Sequence, residues 1–359
     1  MYDGELVGEL RGVNRREVIA AYRAYQIKVH GESVAANWPV NDPGIGIGSW
    51  KLVGEDAKRL NNKRKASDDD VPSQKSNKPR TGGPPGLRWD PTDYSCAYDS
   101  LLTILRAIWR VDSAKWGHRF GSVSRHVKTL ANGFERALEG VRSLEDVRDE
   151  VRRAFWILDS VKFPKGHAYT SLGDVSDALF GDANWGVHVH KCFRCGIVDH
   201  EIAGFRALKY IAVDEARTTA GSLFSISEWF NRYNLRVSGN NCANCGHALM
   251  RIKKATKVPP LLVFVLSSPE VIINRELSVL VEDVAAKYYL SGVVYSGKKH
   301  FTSRVIKRNG DMWYNDGIET GRESVFEGVM QSEDIQFINY CLTDETTRGA
   351  AAIVYALAE

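Results

Sequence analysis

Two cysteine pairs at C-x-x-C spacing limit what this chain can become: His190-Lys-Cys192-Phe-Arg-Cys195-Gly and Asn241-Cys242-Ala-Asn-Cys245-Gly. A C-x-x-C turn lets two thiolates converge on one ion, and the glycine after each pair admits the tight backbone that N–H···S bonding needs. Two such knuckles supply the four sulfurs of a closed tetrahedral site. Cys192, Cys195, Cys242 and Cys245 are therefore expected to hold a structural Zn2+ with no open position for chemistry. With 46 residues between Cys195 and Cys242, this is not a minimal zinc ribbon. It reads as a clip joining two β-hairpin ends of a larger domain. His188, His190, His200 and His247 lie nearby and are read as surface groups or neighbours of the ion.

Paired thiols of this kind belong in a reducing compartment, where they take metal before they form disulfides. No apolar run approaches the roughly 18–20 residues of a membrane span. The start, Met-Tyr-Asp-Gly-Glu, lacks the basic and apolar regions of a secretory signal. The expectation is a nuclear or cytoplasmic protein with no membrane partner. A formal net charge of +4 is too slight to imply nucleic acid, which is not expected as a partner.

Composition divides the chain into three. Residues 1–58 hold one amphipathic helix, from Arg15 to Val29 with Asn14 as its cap, and have no assigned role. Residues 59–86 are too polar to offset their ordering entropy and read as a flexible basic linker. Lys63-Arg-Lys65, with Lys75, Lys78 and Arg80 further on, resembles a bipartite nuclear import signal. Residues 87–359 are globular. Helical patterns come first, over 96–109, 123–138, 143–158 and 172–180. Short β-rich runs follow, at 186–190, 208–213, 261–266, 287–295, 301–307 and 351–357. Helices before strands indicate an α+β fold.

Cys96 stands where turn residues Pro91, Thr92 and Asp93 give way to a helical pattern carried by Leu101, Leu102, Leu105, Ile108 and Trp109. At a helix N-terminus, unpaired N–H groups and the macrodipole favour negative charge, as a nucleophilic sulfur requires. Far downstream, Lys287 to Gly317 reads as a strand, a polar turn, His300 opening a second strand, an Asn309-Gly310 turn, and a third strand ending at Asp316. A histidine at a strand mouth can reach a helix start across a cleft, and an acid one strand away can fix its tautomer. Cys341 is read as a core residue.

These segments resemble the ubiquitin-specific proteases. Cys96-Ala-Tyr-Asp-Ser-Leu-Leu is similar to that family's cysteine box, C-Y-x-N-S-x-L, and Tyr289 to Asp316 is similar to its histidine box. Paired knuckles between the boxes, the run Val258 to Leu266, and the closing strand Ala351 to Tyr355 complete five landmarks in the family's order over 87–359. The resemblance implies a papain-like cysteine protease fold with a helical thumb, a β palm and zinc-binding β fingers at about 186–256. It implies Cys96 as nucleophile, His300 as general base and Asp316 as orienting acid. The implied reaction is cleavage after the C-terminal glycine of ubiquitin or a ubiquitin-like modifier, whose conjugates would be the partners.

Four departures bear on this. Pro91 stands where the family usually has the oxyanion-hole asparagine, and neither Thr92 nor Asn62 is assigned that duty. Asp99 replaces the asparagine after the nucleophile. Lys299 replaces the glycine before the histidine, and a shorter gap after Trp313 leaves Asn315 as an alternative to Asp316. A second expectation follows: a catalytically weakened, zinc-containing module that binds ubiquitin-like proteins.

Overall fold

The computed structural model describes residues 82–181, 184–201, 206–211, 225–281, 284–330, 338–342 and 347–358. Residues 80–341 and 348–359 belong to one compact unit. The helix expected over 15–29 and the import-like basic run lie outside the described residues.

Five helices come first: α1 Cys96–Val111, α2 Ser113–Gly121, α3 Arg125–Leu138, α4 Leu144–Leu158 and α5 Leu172–Phe180. Then come β1 Gly186–Lys191, β2 Val198–Glu201, β3 Leu208–Ile211, α6 Ile226–Asn234, β4 Leu235–Asn241, β5 Ala248–Ala255 and β6 Leu261–Leu266. The last elements are β7 Glu276–Val281, β8 Val284–Gly297, β9 His300–Ile306, β10 Asp311–Asn315, β11 Val325–Val329, β12 Tyr340–Leu342 and β13 Thr347–Leu357. The helices begin where capping chemistry places them. Asp112, Ser124, Ser143 and Ser171 each accept a backbone N–H from the following turn, and Ser143 forms a reciprocal capping box with Asp146. α2 was not anticipated, because its inward face is only Trp116 and Phe120 and Gly117 interrupts it.

Helix α1 is buried nearly all round, its polar Asp99, Ser100, Thr103 and Arg106 included, so it is covered on every side. It packs against α2, α3, α4 and α5 on one side and against β8 and β9 on the other. Gly292 on β8 lets the two approach, since a Cβ there would fall 2.6 Å from Cγ1 of Ile104. The strands form one branched sheet whose main path runs β11-β10-β9-β8-β7-β5-β1-β2. β8 is its spine. One edge pairs with β7 through Val284–Tyr289 and then with β9 through Gly292–Gly297. The other edge is taken by β13, which also pairs with β6.

The globular part begins earlier than composition places it. Gly86 N–H bonds Arg322 O at 2.9 Å, and Ser324 Oγ donates to Pro84 O at 2.6 Å. Leu87 is fully buried. Glycines read as linker are there for close approach: a Cβ on Gly86 would lie 2.1 Å from Asn315 Nδ2.

Candidate active site and metal centre

Cys96 is the first residue of α1 and is buried. The loop ahead of it is gripped from α4. Arg148 Nη1 donates to Arg88 O at 2.8 Å, Ser95 Oγ at 3.2 Å and Asp99 Oδ1 at 3.0 Å. One turn on, Arg152 donates to Asp93 O and pairs with the Asp93 carboxylate at 3.1 Å. Ser95 Oγ donates to Asp99 Oδ2 at 2.5 Å and accepts from Asp90 N–H at 2.7 Å. Asp99 is thus explained by its partner: a charge in place of the family's amide is met by a buried guanidinium. Burial pushes the Asp99 pKa up to about 6, against the pull of Arg148 and Ser95. Tyr94, two residues before the sulfur, has φ +31, stacks on Trp89 and His167 with ring centroids 5.8 and 5.3 Å away, and meets Tyr169 at a tilt with centroids 4.9 Å apart.

From the sheet side, His300 opens β9 directly after a two-residue turn. Both turn residues, Lys298 and Lys299, are left-handed, with φ of 48° and 61°. Such a turn ordinarily takes Asn-Gly, and a side chain in that region costs about 1–2 kcal/mol per residue. His300 Nε2 lies 2.8 Å from Asp316 Oδ1, and Cys96 lies near enough to the ring to favour its cationic form. With Nε2 engaged, Nδ1 is the nitrogen left for the sulfur. Burial opposes protonation of His300, but Asp316 and Cys96 outweigh it and hold the pKa up at about 9.

Asp316 is fully buried. Its Oδ1 also accepts Ile318 N–H at 2.9 Å, while Oδ2 accepts Arg348 Nη1 at 2.9 Å and Tyr314 OH at 3.3 Å. Burial disfavours its charge, yet His300, these donors and Arg348 hold the carboxyl well below the usual range. Asn315 faces elsewhere. Its Nδ2 donates to Thr320 Oγ1, Gly321 O and Glu323 O at 3.1, 3.1 and 3.0 Å, closing the turn over Gly86. The choice left open between Asn315 and Asp316 falls geometrically to Asp316. Pro91 sits exposed in its turn, and the Thr92 hydroxyl donates to Asp90 at 2.7 Å, so neither offers a side-chain donor to a developing oxyanion.

A thiol from the helix start therefore meets, from about two hundred residues downstream, an imidazole hydrogen-bonded to a carboxylate. That arrangement can move a proton from sulfur to nitrogen and back. Arg148, Arg152, Tyr314 and Arg348 were not singled out from sequence, because their partners lie in other elements and no local pattern marks them.

The cysteine knuckles also converge. Knuckle Cys192–Cys195 follows β1, and knuckle Cys242–Cys245 precedes β5. β1 and β5 are antiparallel neighbours with Lys191 opposite Met250, so both knuckles fall at one end of the pair. The sulfurs lie within 4.8 Å of one another, with Cys192 to Cys245 at 3.4 Å and Cys195 to Cys242 at 3.5 Å. Four ligands about 2.3 Å from a tetrahedral zinc require spacing of this order. Gly196 and Gly246 have φ of 78° and 66°. They let the N–H groups of Ile197 and His247 point at Cys195 and Cys245. The donor set fits zinc. His188 is buried against Arg251, its Nδ1 2.6 Å from that guanidinium, and is not part of the cluster.

No protein-family model and no curated protein sequence matches the chain. Solved structures do. The chain is similar to the SAGA DUB module of Ubp8, Sgf11, Sus1 and Sgf73 bound to monoubiquitin, at 12% identity and TM-score 0.51, over 84% of this chain and 74% of that one. It is similar also to the Ubp8 DUB module bound to ubiquitin aldehyde, at 10% identity and TM-score 0.50, over 77% of this chain and 70% of that one. At these identities the likeness is one of fold: the chain has a mixed helix-and-sheet architecture like that of these deubiquitinase structures.

Proposed function

We propose that the chain is a thiol hydrolase that cleaves the isopeptide or peptide bond after the C-terminal glycine of ubiquitin or a ubiquitin-like modifier. The observation that carries this reading is that Cys96, at a helix start, neighbours His300, at a strand mouth, whose ring is hydrogen-bonded to Asp316. The fold likeness to structures bound to ubiquitin supports the substrate class. In this reading the helices are the thumb and the sheet is the palm of a papain-like fold, with fingers at about 186–256. Zn2+ held by Cys192, Cys195, Cys242 and Cys245 would tie the two finger hairpins together and take no part in the chemistry.

Cys96 gives its proton to His300 and attacks the glycine carbonyl, forming a thioester as His300 returns the proton to the departing amine. Water, deprotonated by His300, then releases the modifier. Asp316 holds the ring and stabilises its cationic form. The Cys96 backbone N–H is the donor available to the oxyanion from the helix start. Ubiquitin bearing a C-terminal electrophile tests this: it should label Cys96 and fail to label Cys96→Ala. His300→Ala should lower turnover by about 10²–10⁴ with modifier binding retained.

A second reading, a modifier-binding module with little turnover, is favoured by one observation, Pro91 in place of an oxyanion donor. One missing donor typically costs about 10²–10³ in rate. Tight ubiquitin binding with an unlabelled Cys96 would select it.

A further inference from the structure

Arg348 has no counterpart in the three-residue mechanism, yet it touches the acid of the triad. It enters β13 across from β8, which places it on the side of Asp316 away from His300. It is 7% exposed, and its Nη1 donates to Asp316 Oδ2 at 2.9 Å and to Tyr314 OH at 3.2 Å. Oδ2 is thereby filled, and Oδ1 remains for His300 and the Ile318 N–H.

We propose that Arg348 is a positioning residue of the hydrolase site: a permanent counter-ion that keeps the Asp316 carboxylate ionised and aimed at His300 whenever the imidazole is neutral. The inference rests on the hydrolase reading for its catalytic consequence only.

The charge around Asp316 changes over a catalytic cycle. His300 is cationic after taking the thiol proton and neutral after giving it to the leaving amine. A fully buried carboxylate whose only counter-ion vanishes halfway through a reaction would be driven to take up a proton. Protonated Asp316 could no longer stabilise the next imidazolium. A guanidinium stays charged at every pH of interest and so holds the acid through the neutral phase. The other groups facing this pair are Tyr314 from β10, Cys341 from β12 and Cys96 from α1. Behind Cys341, Arg304 is neutralised by Glu327 at 2.5 Å. Among these groups, Arg348 is the fixed cation bonded to Asp316.

Removing that cation has a signed consequence. Losing a positive charge favours the protonated form of every neighbour, so His300 becomes harder to deprotonate. A merely structural role would loosen Asp316 from His300 and make it easier. The test is an NMR titration of the His300 ring in the full chain carrying Cys96→Ala, which removes the thiolate's own influence. Arg348→Met should raise the midpoint by about one pH unit. Arg348→Lys should leave it near the parent value, and Asp316→Asn should lower it. With Cys96 restored, Arg348→Met should lower kcat on ubiquitin carrying a fluorogenic C-terminal amide about tenfold with little change in KM, and Arg348→Lys should recover most of it. A His300 midpoint that stays or falls in Arg348→Met, with the fold intact by circular dichroism, overturns the proposal. If the unmutated chain turns over no modifier substrate, the hydrolase reading falls, and the substrate-free titration still decides what Arg348 does to Asp316.

Discussion

At the scale of single residues, His300 sets a pH signature. Its pKa is raised from 6.5 to about 9, so the folded chain holds the His300 proton more tightly than the unfolded one does. The resulting stability, on the order of 3 kcal/mol, is fully present below pH about 6.5 and is lost as pH rises through about 9. Asp316→Asn should flatten that dependence, as measured by urea midpoints between pH 6 and 10. Asp99 and Arg148 make a second residue-scale case. Both are about 3% exposed at the side chain and 3.0 Å apart. Arg148→Met leaves a carboxylate buried one turn from Cys96 and should cost about 3–5 kcal/mol. The double variant Asp99→Asn/Arg148→Met should cost clearly less than the sum of the two singles, and additivity in denaturant melts would contradict the pairing.

At the scale of elements, some features were open to sequence reading and others were not. Cys96 was legible because a helix start is marked locally, by turn residues and then a periodic apolar face. The knuckles were legible because a C-x-x-C turn carries its chemistry within four positions. Asn315 and Asp316 were not separable, because neighbours along a strand point to opposite faces and one slipped residue exchanges them. In the structure β10 keeps unbroken register with β9, and the irregularity beside it lies in β11, where Glu327 is the extra residue. Arg348 was hidden at the entrance of a strand whose neighbours announce only a core. The zinc clip is testable at this scale: Cys192 is fully buried, and Cys192→Ser should abolish stoichiometric Zn2+ and lower the thermal midpoint. Retained zinc by mass spectrometry under native conditions would contradict it.

At the scale of the whole molecule, the segment before α1 is threaded under the turn that carries Asp316. Gly86 meets Asn315, and a Cβ on Gly317 would lie 2.9 Å from Leu87 O and Trp89 N. Gly86→Ala should therefore wedge this segment off the turn that carries Asp316. The expected result is lower turnover together with weaker protection of the Asp316–Arg322 amides in hydrogen exchange, with the zinc content untouched. Sequence composition had assigned Gly86 to a flexible connection, because closeness of packing and freedom of chain both call for the same residue.

The sheet narrows at one place. β5 joins β7 in parallel through a single residue pair, Ala255 opposite Val281, while the pairings on either side of that join run for six residues each. A plate so necked bends at its waist before it bends anywhere else. The span between the cysteine clip and the helices is then the soft dimension of the molecule; in the hydrolase reading proposed above, a globular modifier held there would be admitted or released by flexing one seam while the sulfur, ring and carboxylate keep their spacing.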